Sequence, residues 1–147
     1  MAVFLNNTVG FKIATSGGTY VDLSDHVKQI TINQKFDELE VTAMGDTGHK
    51  FVKGLESSSI TVSFLNDDAT ASVLATLEAV YGTSAGFKAV QVASGGTATV
   101  SATNKLYTGL LLINNLTPIN GAVGDISTQD ITFTVNGAIT VADTGTF

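Results

Sequence analysis

Two runs of strict alternation constrain this chain most. In Asp37 to Thr42, Leu39 and Val41 fall on one face and Glu38, Glu40 and Thr42 on the other. In Ser59 to Leu65, Ile60, Val62 and Phe64 oppose Ser59, Thr61 and Ser63. A period of two is that of a strand with one buried face. The link between the runs, Ala43 to Glu56, is too long for a tight hairpin. Its apolar members are Met44, Phe51, Val52 and Leu55. Burying four such side chains within one subunit falls short of the entropy lost in ordering the whole link. The link is therefore expected to be mobile alone or held by a neighbouring molecule.

The rest of the chain reads as further short strands around one helix. Met1 to Val9 is expected to be an arm or fraying end. Phe11 to Ala14 and Thr19 to Asp22 flank Ser16-Gly17-Gly18, a hairpin signal. Asp22 to His26 suits one helical turn. Val27 to Phe36 is a strand with Ile30, Ile32 and Phe36 on one face and Gln29, Thr31, Asn33 and Lys35 on the other. Asn66-Asp67-Asp68 precedes a helix over Ala69 to Tyr81, capped by an aspartate and stopped by Gly82. Val73, Leu77, Val80 and Tyr81 form its apolar stripe, widened by Leu74. Strands follow at Phe87 to Ala93 and Thr97 to Thr103, joined by Ser94-Gly95-Gly96. Leu106 to Ile113 is apolar on both faces and predicts a central strand covered on both sides. A connection through Pro118, the one proline, leads to Ile126 to Val135. There Ile131, Phe133 and Val135 oppose Asp130, Thr132 and Thr134. Asn136-Gly137 signals a type I′ turn into a last strand, Ile139 to Ala142. The tail is Asp143 to Phe147.

These elements predict one domain of eight or nine strands. The fold class is mainly β: an antiparallel β-sandwich or open barrel with one flanking α-helix and a long inter-strand loop. At 147 residues the chain can bury a real core. The first residues lack a basic start and a long apolar run, so no signal peptide is expected, and nothing approaches a membrane span. Cysteine is absent, which excludes a disulfide framework and a thiolate metal site. All seven basic residues are lysines and the formal net charge is −6. That balance argues against tight nucleic-acid binding, which needs clustered cations on phosphates.

Candidate chemistry is thin. Asp-Thr-Gly occurs at Asp46 to Gly48 and again at Asp143 to Gly145. Paired aspartates on such turns activate water in aspartic proteases. That chemistry needs each aspartate on a buried turn after an apolar strand, and neither context supplies one. His26 and His49 are far apart and read as surface residues, with no G-x-S-x-G elbow beside either. Gly45 to Lys50 lacks phosphate-loop spacing. Asn66-Asp67-Asp68 lacks a calcium-loop continuation and is read as a helix cap. No catalytic residue, metal or cofactor is expected.

Asp37 to Thr42, Gly45 to Gly48, Gly54-Leu55 and Ser57 to Asp68 together resemble the tail tube (major tail) proteins of long-tailed bacteriophages. The resemblance implies a structural, non-enzymatic subunit that polymerises as stacked, typically hexameric rings. Its sheets join those of neighbours around a bore that conducts DNA. It implies a virion location after assembly in the host cytoplasm, and as partners further copies of itself and other tail proteins at the tube ends, with no membrane. The mid-chain link then supplies the subunit and ring interface through Met44, Asp46, His49, Lys50, Phe51, Val52, Lys53 and Leu55, with Lys50 and Lys53 facing acids on the partner. Gln29, Thr31, Asn33, Lys35, Glu38, Glu40, Ser59, Thr61 and Ser63 are expected to face the bore, where short hydroxyl and acidic side chains let DNA pass without sticking. The same faces read without the resemblance as a solvated sheet. A type VI secretion tube, a capsid decoration or tail-completion protein, and a secreted sandwich that binds carbohydrate or protein are the rival readings.

Overall fold

Ile60, Val62 and Phe64 are all fully buried, and Ile131, Phe133 and Val135 meet them from the adjacent strand. The alternation of Ser59 to Leu65 is thus the core itself, whereas the run Asp37 to Thr42 buries neither face: Leu39 and Val41 are exposed, because that run lies outside the main sheet. The computed structural model describes residues 7–15 and 18–147. Among them it is mainly β, with antiparallel pairing throughout and one α-helix. The strands are β1 (Gly10–Ala14), β2 (Tyr20–Asp22), β3 (Val27–Asn33), β4 (Phe36–Glu40), β5 (Phe51–Glu56), β6 (Ser59–Leu65), β7 (Ser84–Val90), β8 (Leu106–Leu112), β9 (Thr128–Val135) and β10 (Thr140–Ala142). The helix is α1 (Val73–Val80). Residues 1–6 and Ser16-Gly17, where an arm and a turn were expected, lie outside the described residues.

One sheet runs β2-β1-β7-β8-β9-β6-β3, and β10 also pairs with β8. It curls on itself. β1 and β6 are four strand spacings apart along the sheet, about 19 Å if it were flat. Yet the Phe11 and Phe64 rings lie 6.2 Å apart across the core. The fold is therefore a β-sandwich closed by sheet curvature, with α1 packed on it through Val73, Thr76, Leu77 and Val80.

Local chemistry explains where the sequence reading fails. β3 stops at Asn33, and Phe36 belongs to β4, so it does not share the face of Ile30 and Ile32. Helix α1 starts only at Val73, because Ala71 adopts a left-handed φ of 60° that breaks the helical path. Asp67 Oδ1 accepts from the Ala69 N–H instead of capping the helix. Gly82 does end it, at φ 82°, but Tyr81 is exposed. Thr97 to Thr103 is no strand: two bridged turns, Ser94–Thr97 and Ser101–Asn104, replace it. Ile126 is exposed and lies ahead of β9.

β8 is central, as its composition implies, but its outer face is covered only in part. Leu106 packs with Val90 and Phe147 in a small second core, whereas Leu110 is exposed. The C-terminal tail is therefore docked, and the Lys88 ammonium donates to the Thr146 carbonyl at 2.9 Å. Asn136-Gly137 is not a type I′ turn, since only Gly137 has positive φ, and no hairpin forms. β9 pairs with β8 at Leu111 and Leu112 alone, after which β10 takes over the same edge at Leu106 to Thr108.

Candidate assembly surfaces

Pairing brings the polar faces of three strands into one plane. Register aligns Gln29, Ser63 and Asp130 in one row. Thr31, Thr61 and Thr132 form the next, and Asn33, Ser59 and Thr134 the third. Their opposite faces hold the core, so these nine side chains point outward together. Thr61 and Thr132 share a hydrogen bond at 3.1 Å, and the Ser63 hydroxyl donates to Asp130. Asp130 is the only ionisable group among the nine. Six of the residues expected to face a bore lie here: Gln29, Thr31, Asn33, Ser59, Thr61 and Ser63. Glu38 and Glu40 do not, because β4 belongs to a separate sheet, and Lys35 sits in the break between β3 and β4. Asp130, Thr132 and Thr134 complete the face. Their alternation was visible in the sequence, but nothing local says that β9 pairs with β6.

The second surface is the mid-chain segment. Its expected long link is half strand: β5 pairs with β4 in a two-stranded hairpin that has no place in the main sheet. Leu39 stands opposite Val52, Glu38 opposite Lys53, and Glu40 opposite Phe51. A bulge adds one residue to β5 near Gly54, where a Cβ would come within 2.9 Å of the Asp37 carbonyl oxygen. Val41 and Lys50 extend the ladder by one bond of 2.8 Å.

The tip satisfies its own polar groups. Asp46 accepts from the Ala43 N–H at 2.8 Å and pairs with Lys50 at 2.5 Å. The Lys50 ammonium first, and then the Ala43 N–H, hold the Asp46 carboxyl below the ordinary carboxylate range. His49 Nδ1 lies 2.6 Å from Glu40 Oε1, and the Lys53 ammonium sits 4.2 Å from the Phe36 ring centre. Lys50 and Lys53 therefore have partners within the hairpin rather than open positions for a neighbour's acids. The apolar side chains are covered only in part, Phe36 by the Lys53 ammonium and Phe51 by the His49 ring at 6.4 Å between centroids. Phe36, Leu39, Val41, Met44, Phe51, Val52 and Leu55 are seven of the fifteen exposed large apolar residues described. None belongs to either core. Leu55 is 82% exposed and Met44 wholly so.

The hairpin is fixed at its base. The Ser57 N–H donates to the Lys35 carbonyl at 2.7 Å, and Glu56 accepts from the Ile139 N–H at 2.6 Å. It is thus a projecting element, rooted at its base, with an apolar surface. An isolated two-stranded hairpin is only marginally stable in water, so such a surface gains most from a partner.

The remaining candidates are used locally. His26 is bracketed by Asp25 at 2.7 Å and Asp67 at 2.8 Å. The Asp67 carboxyl is held below its ordinary range, chiefly by the Ala69 N–H. Asp46 is committed to its turn and to Lys50, and Asp143 is exposed. No helix among the described residues is long and apolar enough to cross a membrane. No protein-family model matches the chain, and no curated protein matches it in sequence.

Proposed function

We propose that this chain is the structural subunit of a phage tail tube, polymerising as stacked rings around a bore that conducts DNA. One observation carries the reading. A sheet face of nine polar residues with a single charge lies beside a projecting hairpin whose apolar side chains lie outside both cores and remain exposed. A wall of hydroxyls and amides offers phosphates no cations, so DNA releases no counterions on it and does not stick. Asp130 adds repulsion. The hairpin supplies the subunit contact, with Met44, Phe51, Val52 and Leu55 as anchors. Its apolar surface is what an interface core uses. A head-to-tail contact of this kind propagates as a filament where it does not close.

A carbohydrate-binding sandwich fits less well, because the flat face carries no aromatic ring on which a sugar could stack. Electron microscopy of the purified protein tests the proposal. Hollow tubes of uniform bore support it. A monomer at every concentration, with affinity for a glycan, replaces it with the binding-module reading.

A further inference from the structure

The hairpin is not the only uncovered apolar surface. Ile119, Val123 and Ile126 stand out from the connection between β8 and β9, and Ile119 and Val123 are almost fully exposed. The later part of that connection, residues 117–127, is anchored at its base. The Thr117 N–H donates to the buried Gln129 side chain at 3.1 Å, and Asn120 donates to the Thr128 carbonyl at 3.0 Å. Asn66 adds a bond to Ser127 at 2.8 Å.

Topology places the two surfaces at opposite ends of the same strands. The hairpin leaves from Asn33 and returns at Ser59, which pairs with Thr134. The loop returns at Thr128, which pairs with Leu65. Ser59 and Leu65 are six residues apart on β6, about 20 Å. A second copy displaced along the strands therefore brings its loop to the first copy's hairpin.

We propose that loop 117–127 of one copy is the seat for the hairpin tip of the next, with Met44 meeting Ile119 and Val123. This rests on the tube reading and names the partner surface of its hairpin. The chemistry on both sides agrees. The tip's charges pair within the tip, and the loop carries only Asp125, so the contact is apolar rather than ionic. The contact is heterologous: each copy has one knob and one seat, so two copies joined this way still offer one of each.

The chain has no cysteine, so single thiols can be placed without background. Met44→Cys and Val123→Cys variants are prepared separately, mixed, assembled and oxidised. Ile119→Cys and Ile126→Cys serve as alternative partners, because a disulfide needs Cα atoms within about 7 Å. The expected result is a cross-linked dimer in mixtures of Met44→Cys with a loop variant, and none in either variant alone. Tubes that give no such cross-link with any of the three loop positions overturn the contact and leave the tube reading standing. Cross-linking of Met44→Cys with itself also overturns it, by showing a two-fold contact of hairpin on hairpin. Cross-linked dimers in assemblies that form no tubes uphold the contact and overturn the tube reading. A monodisperse monomer without cross-links overturns both.

Discussion

The Glu56 carboxylate accepts a hydrogen bond from the backbone N–H of Ile139, 83 residues away, at 2.6 Å. It ties the root of the projecting hairpin to the corner where the chain passes from β9 to β10. Gly109 on the neighbouring strand leaves room for this corner, since a Cβ there would lie 3.3 Å from the Ala138 carbonyl oxygen. Glu56→Ala removes the acceptor and leaves the Ile139 N–H without its partner. The expected cost is about 1–2 kcal/mol, read as a lower urea midpoint, with faster amide exchange at Ile139. Glu56→Gln keeps an acceptor and should restore most of the loss.

Replacing Phe51 and Leu55 by Ser should leave the fold intact and abolish assembly. Both are exposed and outside the core, so the stability change is expected within about 0.5 kcal/mol per site. Circular dichroism melts and electron microscopy of the same preparation check the two halves. Unchanged tube growth removes the role given to the hairpin.

The two faces of β6 and β9 should respond oppositely to substitution. Phe64→Ala and Phe133→Ala each empty a fully buried site and should cost about 3–5 kcal/mol. Thr61→Ser and Thr132→Ser on the outer face should cost less than about 0.5 kcal/mol each. Thr61→Lys with Thr132→Lys should spare the fold yet slow DNA passage through an assembled tube, since two cations in each subunit would hold phosphates. Denaturant melts and DNA-release rates separate the effects.

The hairpin tip should be acid-sensitive through Asp46. Its carboxyl is held down by Lys50 and then by the Ala43 N–H, so its folded pKa lies below its unfolded one. The stabilisation is present above the unfolded value and lost as pH falls through the folded one. The amide shift of Ala43 should therefore titrate with a midpoint below the ordinary carboxylate range. Asp46→Asn should abolish that titration while leaving the amide signals of β6 and β9 in place. A midpoint above the ordinary carboxylate range would contradict the pairing.

The sequence by itself determined which side chains of β6 and β9 share a face. Alternation at Ile60, Val62 and Phe64, and again at Ile131, Phe133 and Val135, is a local property of the backbone pleat, and it placed the core directly. The helical stripe of Val73, Leu77 and Val80 and the stop at Gly82 were legible from local spacing and turn chemistry, but the helix start was not, because the left-handed Ala71 delays it to Val73. Partnership was not. Only the tertiary structure decided that β4 pairs with β5 rather than with the main sheet, that β10 follows β9 along β8, and that Asp130, Thr132 and Thr134 complete the face of Thr31 and Thr61. Strand pairing joins backbone groups as far apart as Thr61 and Thr132, and period-two alternation is blind to which strand lies alongside. The exposed loop at Ile119 and Val123 escaped notice because nothing local distinguishes an uncovered apolar residue in a connection from a buried one.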